Sequence, residues 1–195
     1  MSEFTPDNAA MLLIDHQTGI MSWAKSIPPV ELVRNTRALA RVAKALAMPT
    51  VLTTSMEDRP GQGKLMKDLE EILPDEYARR VKRLGVVDCL DDPNYAAAVK
   101  QTGRKNLIMA GVTNDVCIVF PARRAVREGY PVQVVVDAGG SPTKLADDIA
   151  LRRMEKAGVQ LTSTNQLIAE LAKNWSSPHG GKLVEILFEE VLSKL

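Results

Sequence analysis

The chain has 195 residues, 45% of them apolar and 25% charged, and 25 basic against 24 acidic side chains leave a formal net charge of +1. A chain of this length buries roughly 70% of its unfolded surface and needs no disulfide or metal staple, and a charge so balanced gives no broad field to attract nucleic acid or an anionic membrane. Aromatics at 4% exclude an extended base-stacking surface, and only two histidines, His16 and His179, argue against a His-rich zinc site.

The elements follow in chain order. The N-terminus lacks the basic start and apolar core of a secretory signal, and no apolar run approaches the ~20 residues that span a bilayer. Ala9-Ala-Met-Leu-Leu-Ile-Asp15 is an almost wholly apolar run ending in an acid, the pattern of a strand buried on both faces. Residues 30–46 carry apolar side chains at helical spacing; Pro49 breaks the pattern, and Thr50-Val-Leu-Thr-Thr-Ser55 reads as a second strand. Residues 56–64 read as loop and 65–73 as a weak helix. The least periodic stretch is 74–92, where a short extended piece is placed near Val86 and Val87.

The second half is clearer. Helices are predicted over 94–102, 116–128, 143–157 and 164–173, the first three closed by Gly103, Gly129 and Gly158. Strands are predicted at Asn106-Leu-Ile-Met-Ala-Gly111, at 131–136 and at 159–162. Residues 176–181 read as a linker before an amphipathic helix over 182–195. The expectation is therefore an α/β domain over 1–175 with a linker and terminal helix over 176–195. Its fold would be three-layered and Rossmann-like, with a mostly parallel sheet of about six strands flanked by helices.

In such folds ligands sit beyond the carboxyl ends of the strands, where strand order reverses. No dinucleotide fingerprint follows the first strand, and no phosphate-binding P-loop occurs anywhere, so no nucleotide cofactor is expected. Two strand ends do carry chemistry. Asp15 either caps the turn that follows it or works as an acid–base group. Cys117 falls at the start of the helix predicted from residue 116. There it is either a small buried hydrophobe or a thiolate whose pKa is lowered by unpaired N–H groups and the helix dipole. If strand order reverses between the Asp15 and Asn106 strands, the two face one another. Arg79-Arg-Val-Lys82-Arg83 could supply a cation to hold the pair, or could be a solvated face. Cys89 and Cys117 do not make a disulfide framework and read as free thiols of a reducing, cytoplasmic compartment.

Three segments together resemble a known family: Leu12-Leu-Ile-Asp15-His-Gln17, Leu52-Thr-Thr-Ser-Met-Glu-Asp58, and Ala110-Gly-Val-Thr-Asn-Asp-Val-Cys117. Pro121-Ala and Glu128-Gly-Tyr-Pro-Val-Gln-Val-Val-Val-Asp-Ala138 extend the likeness at matching spacing. Over about residues 8–175 the chain resembles the isochorismatase-like hydrolases, which include nicotinamidase and N-carbamoylsarcosine amidase, and in particular their bacterial YcaC-type branch. The resemblance implies a catalytic triad of acid, cation and cysteine acting on a small-molecule amide or similar C–N bond. Cys117 would be the nucleophile that forms a thioester, and Asp15 the general base and then the acid. It also implies a cis peptide at Val112–Thr113, with the Thr113 and Cys117 N–H groups aimed at the developing oxyanion.

The family's third member is usually a lysine. The alignment puts Arg83 there, with Lys82 next to it as the second choice; arginine can hold a carboxylate but cannot give up its proton. The nicotinamidases carry zinc-binding histidines after the second strand, where this chain has Ser55-Met-Glu-Asp58, so no catalytic metal is expected and nicotinamide is doubtful. True isochorismatases lack the cysteine, which argues against isochorismate. The branch forms large rings, which implies a homo-oligomer, a tetramer or octamer. Leu183, Ile186, Leu187, Val191 and Leu195 on one side of the terminal helix are expected to meet a neighbouring subunit. His16 should point away from Asp15, Cys89 should be structural, and Glu57 could touch substrate but more simply ends a strand. Trp23 and Met21 should line a pocket or a subunit contact. An ester or thioester hydrolase, and a non-catalytic binding or scaffold protein of the same fold, are the alternatives.

Overall fold

The computed structural model describes residues 3–194. Six strands form one parallel sheet: β1 (Ala9–Ile14), β2 (Thr50–Ser55), β3 (Val81–Arg83), β4 (Asn106–Gly111), β5 (Val132–Val135) and β6 (Gln160–Thr162). Their order is β3-β2-β1-β4-β5-β6, so the chain winds outward from the centre in both directions and reverses between β1 and β4. The helices are α1 (Thr18–Met21), α2 (Pro29–Ala45), α3 (Lys67–Ile72), α4 (Pro74–Ala78), α5 (Pro93–Gln101), α6 (Val119–Arg127), α7 (Lys144–Lys156), α8 (Thr164–Ala172) and α9 (Pro178–Glu190).

β1 is buried along its whole length because the sheet is covered on both faces. Met11 and Leu13 face a core built with Leu39 of α2, Leu69 of α3, Leu167 of α8 and Leu183 of α9. Leu12 and Ile14 face the opposite core, with Tyr95 of α5, Val119 of α6 and Met154 of α7. Local signals set the helix ends. Asp92, Thr143 and Ser163 accept backbone N–H bonds at the starts of α5, α7 and α8.

Three expectations need correction. The third strand lies at Val81–Arg83 rather than near Val86 and Val87. Lys82 and Arg83 are polar, but Thr54 and Ser55 of β2 supply their ladder partners and buried acids supply their charge partners. Val86 and Val87 are instead partly exposed, beyond the strand.

The predicted linker is mostly helix. Ser177 accepts the Gly180 N–H, and Pro178 opens α9, so cap and proline outweigh the two glycines that follow. The apolar stripe of α9 is covered by its own chain rather than by a neighbour. Leu183, Ile186 and Leu187 join the core under α2 and α8, Val191 packs against it, and Leu195 lies outside the described residues. Glu190 of α9 binds Arg37 and Arg41 of α2 at 2.8 and 2.7 Å. Val184, Phe188 and Leu192 remain on the outer side.

Candidate active site

Parallel register brings three strand ends together. Ile14 lies opposite Gly111 of β4 and Thr53 of β2, and Ser55 of β2 lies opposite Arg83 of β3. Asp15, the next residue after β1, therefore stands beside the turn that leaves β4. Asp15 has a φ of 56°, a left-handed conformation that aspartate tolerates better than most residues. Gly111 permits the close approach of that turn: a Cβ there would come within 2.3 Å of the Ile14 carbonyl oxygen.

Arg83 reaches back from β3 to Asp15. Its Nη2 donates to both carboxylate oxygens, its Nε donates to Thr53 Oγ1 at 3.0 Å, and its Nη1 donates to the Val86 carbonyl at 3.0 Å. The two side chains are 1% and 0% exposed. Removing either member of such a buried pair would leave an uncompensated charge. Lys82, one residue earlier, projects to the other face of β3. Its ammonium lies 2.7 Å from Glu57 Oε1. Of the two basic residues, Arg83 is thus the one that meets Asp15.

After β4 the Val112–Thr113 peptide is cis, and the chain enters a π-helical turn over Asn114–Ile118 in which the Ile118 N–H donates to the Thr113 carbonyl at 3.1 Å. Cys117 therefore sits in this wide turn, ahead of α6, and not in the first turn of a regular helix. Cys117 and Asp15 line the same cleft, where the carboxyl and the thiol shift one another's pKa and the Thr113 backbone N–H favours the thiolate. Asp15, Arg83 and Cys117 form one connected cluster drawn from β1, β3 and β4.

The electrostatics differ from expectation at the sulfur. The Cys117 pKa is raised, first by burial and then by the adjacent Asp15 charge; the Thr113 N–H and Arg83 pull the other way and do not prevail. The resting group is a thiol, because a short π turn at an apolar floor offers less to a thiolate than desolvation removes. Burial likewise raises Asp15 above the usual carboxylate value, against the pull of Arg83. Burial disfavours the Arg83 cation too, yet Asp15 raises its pKa overall, so it stays charged.

The cluster opens into a cleft of ≈ 270 Å³. Ile20, Trp23, Met56, Val86, Val87 and Val116 make its wall mostly apolar; Ser55, Gln62, Thr113 and Asp115 add polar atoms. Trp23 is at the lip, partly exposed, whereas Met21 is buried in the core instead. Gln17 ties the two loops of the cleft together. It accepts the Ser55 N–H at 2.7 Å and donates to the Ser55 and Gly63 carbonyls at 3.1 and 2.6 Å.

Other singled-out residues have clear places. His16 points away from the cluster and is fully buried, with its Nε2 donating to the Ala138 carbonyl at 2.9 Å; burial pushes its pKa down to about 4. Cys89 is fully buried and its thiol is likewise pushed up by burial. Glu57 is a buried anchor, bonded by Thr54, Arg80 and Lys82, and despite its burial those partners lower its pKa to about 2.

Sequence reasoning missed Thr53, Gln17 and Asn114 as parts of the site's frame. All three lie inside the quoted motifs, where neighbouring residues drew the attention. Asn114 donates to Asp147 of α7 at 3.1 Å, and Ser141 donates to the same carboxylate oxygen at 2.7 Å, which fixes the π turn against α7. Among the described residues no group of three or more His, Cys, Asp or Glu is arranged to hold a metal, and no helix is long and apolar enough to cross a membrane.

Residues 9–166 match the family profile described as Isochorismatase domain. The chain belongs to the isochorismatase family. Within it, the chain is 39% identical over 169 residues to the probable hydrolase YcaC of Escherichia coli, covering 87% of this chain and 80% of that protein. The structure of YcaC from Pseudomonas aeruginosa, holding hexane-2,5-diol and covalent acrylamide, superposes with a TM-score of 0.93 at 36% identity, over 98% of this chain and 93% of that one. The Escherichia coli YcaC structure, described as an octameric hydrolase of unknown specificity, gives the same TM-score of 0.93 at 35% identity, over 99% and 93% of the two chains. The fold and the YcaC branch are as the sequence motifs implied, and the chain is an isochorismatase-family hydrolase.

Proposed function

We propose that this hydrolase cleaves a small amide through a thioester on Cys117. The observation that carries the reading is the meeting of Asp15, held by buried Arg83, and Cys117 in the lining of one small cleft. A resting thiol needs a base, and a carboxylate raised by burial is a better one than an ordinary aspartate.

The sequence of steps follows from that pair. Asp15 takes the thiol proton as sulfur attacks the carbonyl carbon. The oxyanion is met by the Thr113 and Cys117 backbone N–H groups, each such donor supplying about 3 kcal/mol of transition-state stabilisation. Collapse breaks the C–N bond, and protonated Asp15 delivers its proton to the leaving nitrogen. Water, its proton taken by Asp15, then hydrolyses the thioester to the acid and restores the thiol. Arg83 keeps its charge throughout and positions Asp15. The covalent acrylamide in the Pseudomonas aeruginosa relative is consistent with a nucleophile reactive toward electrophiles in this branch. The octamer of the Escherichia coli relative supports assembly here, with the outer side of α9 as one surface available to it. The protein is read as acting in the cytoplasm, where both thiols stay reduced.

The test is ammonia release across a panel of small amides and carbamoyl compounds. Wild type releases ammonia from at least one, and Cys117→Ala releases none while keeping the wild-type circular dichroism. Release of alcohol from esters with no amide turned over would replace this reading with an esterase. Unchanged turnover in Cys117→Ala would remove it.

A further inference from the structure

The mechanism leaves one carboxylate of the cleft unused. Asp115 lies two residues before Cys117 in the same π turn and lines the cleft wall. Its Oδ1 is shut off from solvent and finds no hydrogen-bond partner among the described residues. An atom that water cannot touch is not met directly by a ligand, so what Asp115 offers the cleft is the uncompensated charge of its carboxylate.

Charge makes the same point. The charged side chains lining the cleft are Asp15, Arg83 and Asp115. Arg83 is fully engaged by Asp15, Thr53 and the Val86 carbonyl, so those first two charges cancel. Lys82 and Arg80 are turned to Glu57. Beyond Val86 and Val87 the neighbouring hollow holds Asp88 and Asp91 with Arg123 and Arg127, two charges of each sign. Arg59 is outside the lining, its Nη1 lying 3.7 Å from Met56 Sδ, so among the described lining residues what remains is a single negative charge within a largely apolar wall, with Trp23 at the lip. Both features attract a cation and repel an anion.

We propose that Asp115 is the specificity residue of this site and selects substrates that carry a positively charged nitrogen group near the scissile carbonyl, while rejecting carboxylate-bearing ones. The proposal rests on the amide-hydrolase reading for the bond that is cut, but the preferred charge can be measured without turnover.

Two experiments separate the two claims. In the first, Cys117 is labelled with three methanethiosulfonates that differ in charge: an aminoethyl cation, a neutral methyl reagent and a sulfonatoethyl anion. Sulfur displaces methanesulfinate and forms a mixed disulfide, read by intact mass, with Cys117→Ala as the blank. Rates are normalised to those of free mercaptoethanol. The cation-to-anion ratio in wild type should exceed that reference about tenfold, as expected for one unit charge at close range under partial screening. It should fall toward the reference in both Asp115→Asn and Asp115→Ser. A wild-type ratio at or below the reference, or a ratio unchanged in both variants, overturns the proposal.

In the second, ammonia release is compared for β-alaninamide, butyramide and succinamate, which share a backbone and differ in end charge. Wild type should favour β-alaninamide over succinamate in kcat/KM, and Asp115→Asn should shrink that preference about tenfold or more. Preference for succinamate would refute the assignment. If no amide is turned over, the amide reading fails while the labelling ratio still decides the role of Asp115.

Discussion

His16 is a buried histidine kept neutral by the fold, and that makes a quantitative prediction about acid stability. Its pKa falls from an ordinary 6.5 to about 4 because burial disfavours the imidazolium, and the bond to the Ala138 carbonyl only partly opposes this. The unfolded chain therefore takes up this proton near 6.5 and the folded chain only near 4. The contribution is fully present above the higher value and is lost as pH falls from there toward the lower one. The whole difference corresponds to about 3 kcal/mol, and between pH 7 and pH 5 about 2 kcal/mol of it should disappear. The perturbation is His16→Gln, which retains an N–H for the Ala138 carbonyl but does not titrate. Urea unfolding of both proteins at pH 7 and at pH 5, at one protomer concentration, gives two stability differences. Asp15, Glu57 and the other acids are common to both proteins, so subtraction isolates His16. Wild type should lose about 2 kcal/mol more than the variant over this interval. An equal loss in the two proteins would show that His16 is not held neutral by burial, and the reasoning would fail.

Other outcomes follow from the same contacts. Arg83→Met leaves the buried Asp15 without its partner charge, so stability should drop by about 3–5 kcal/mol and activity should vanish. Lys82→Ala removes only a half-exposed partner of Glu57 and should lower stability by no more than about 1 kcal/mol; both are read by urea unfolding and turnover. The acid limb of kcat/KM should lie above the ordinary aspartate value of 3.8, because Asp15 must be deprotonated to act and burial raises it. A limb at or below that value would separate the base from Asp15. Gln17→Ala removes three hydrogen bonds that join the cleft loops, and KM should rise more than kcat falls, with a stability cost of about 1–3 kcal/mol by thermal unfolding.

Much of the frame was legible because buried parallel strands have a distinctive composition. The runs at Ala9–Ile14 and Asn106–Gly111 are too apolar to face water on either side, and both are central strands. Asp15 and Cys117 could be paired in advance because strand order reverses where parallel winding makes it reverse. The third strand was misplaced because it is polar: Val81–Arg83 is held by a neighbouring ladder and by buried acids, and neither partner is local in sequence. The direction of the Cys117 shift was also illegible. It depends on a π turn and on how much water the fold removes, and periodicity reports neither. The α9 stripe was read correctly as one to be buried, but the partner, α2, lies over a hundred residues away in the chain.

The protonated resting state of Cys117 has a chemical consequence beyond hydrolysis. Peroxides attack thiolates far faster than thiols, and progression to sulfenic acid begins with the anion. Burial pushes the pKa of both sulfurs of this chain up, toward the neutral form. On the proposed reading, a nucleophile that surrenders its proton only as a carbonyl arrives reacts slowly with oxidants for reasons of acid–base chemistry alone.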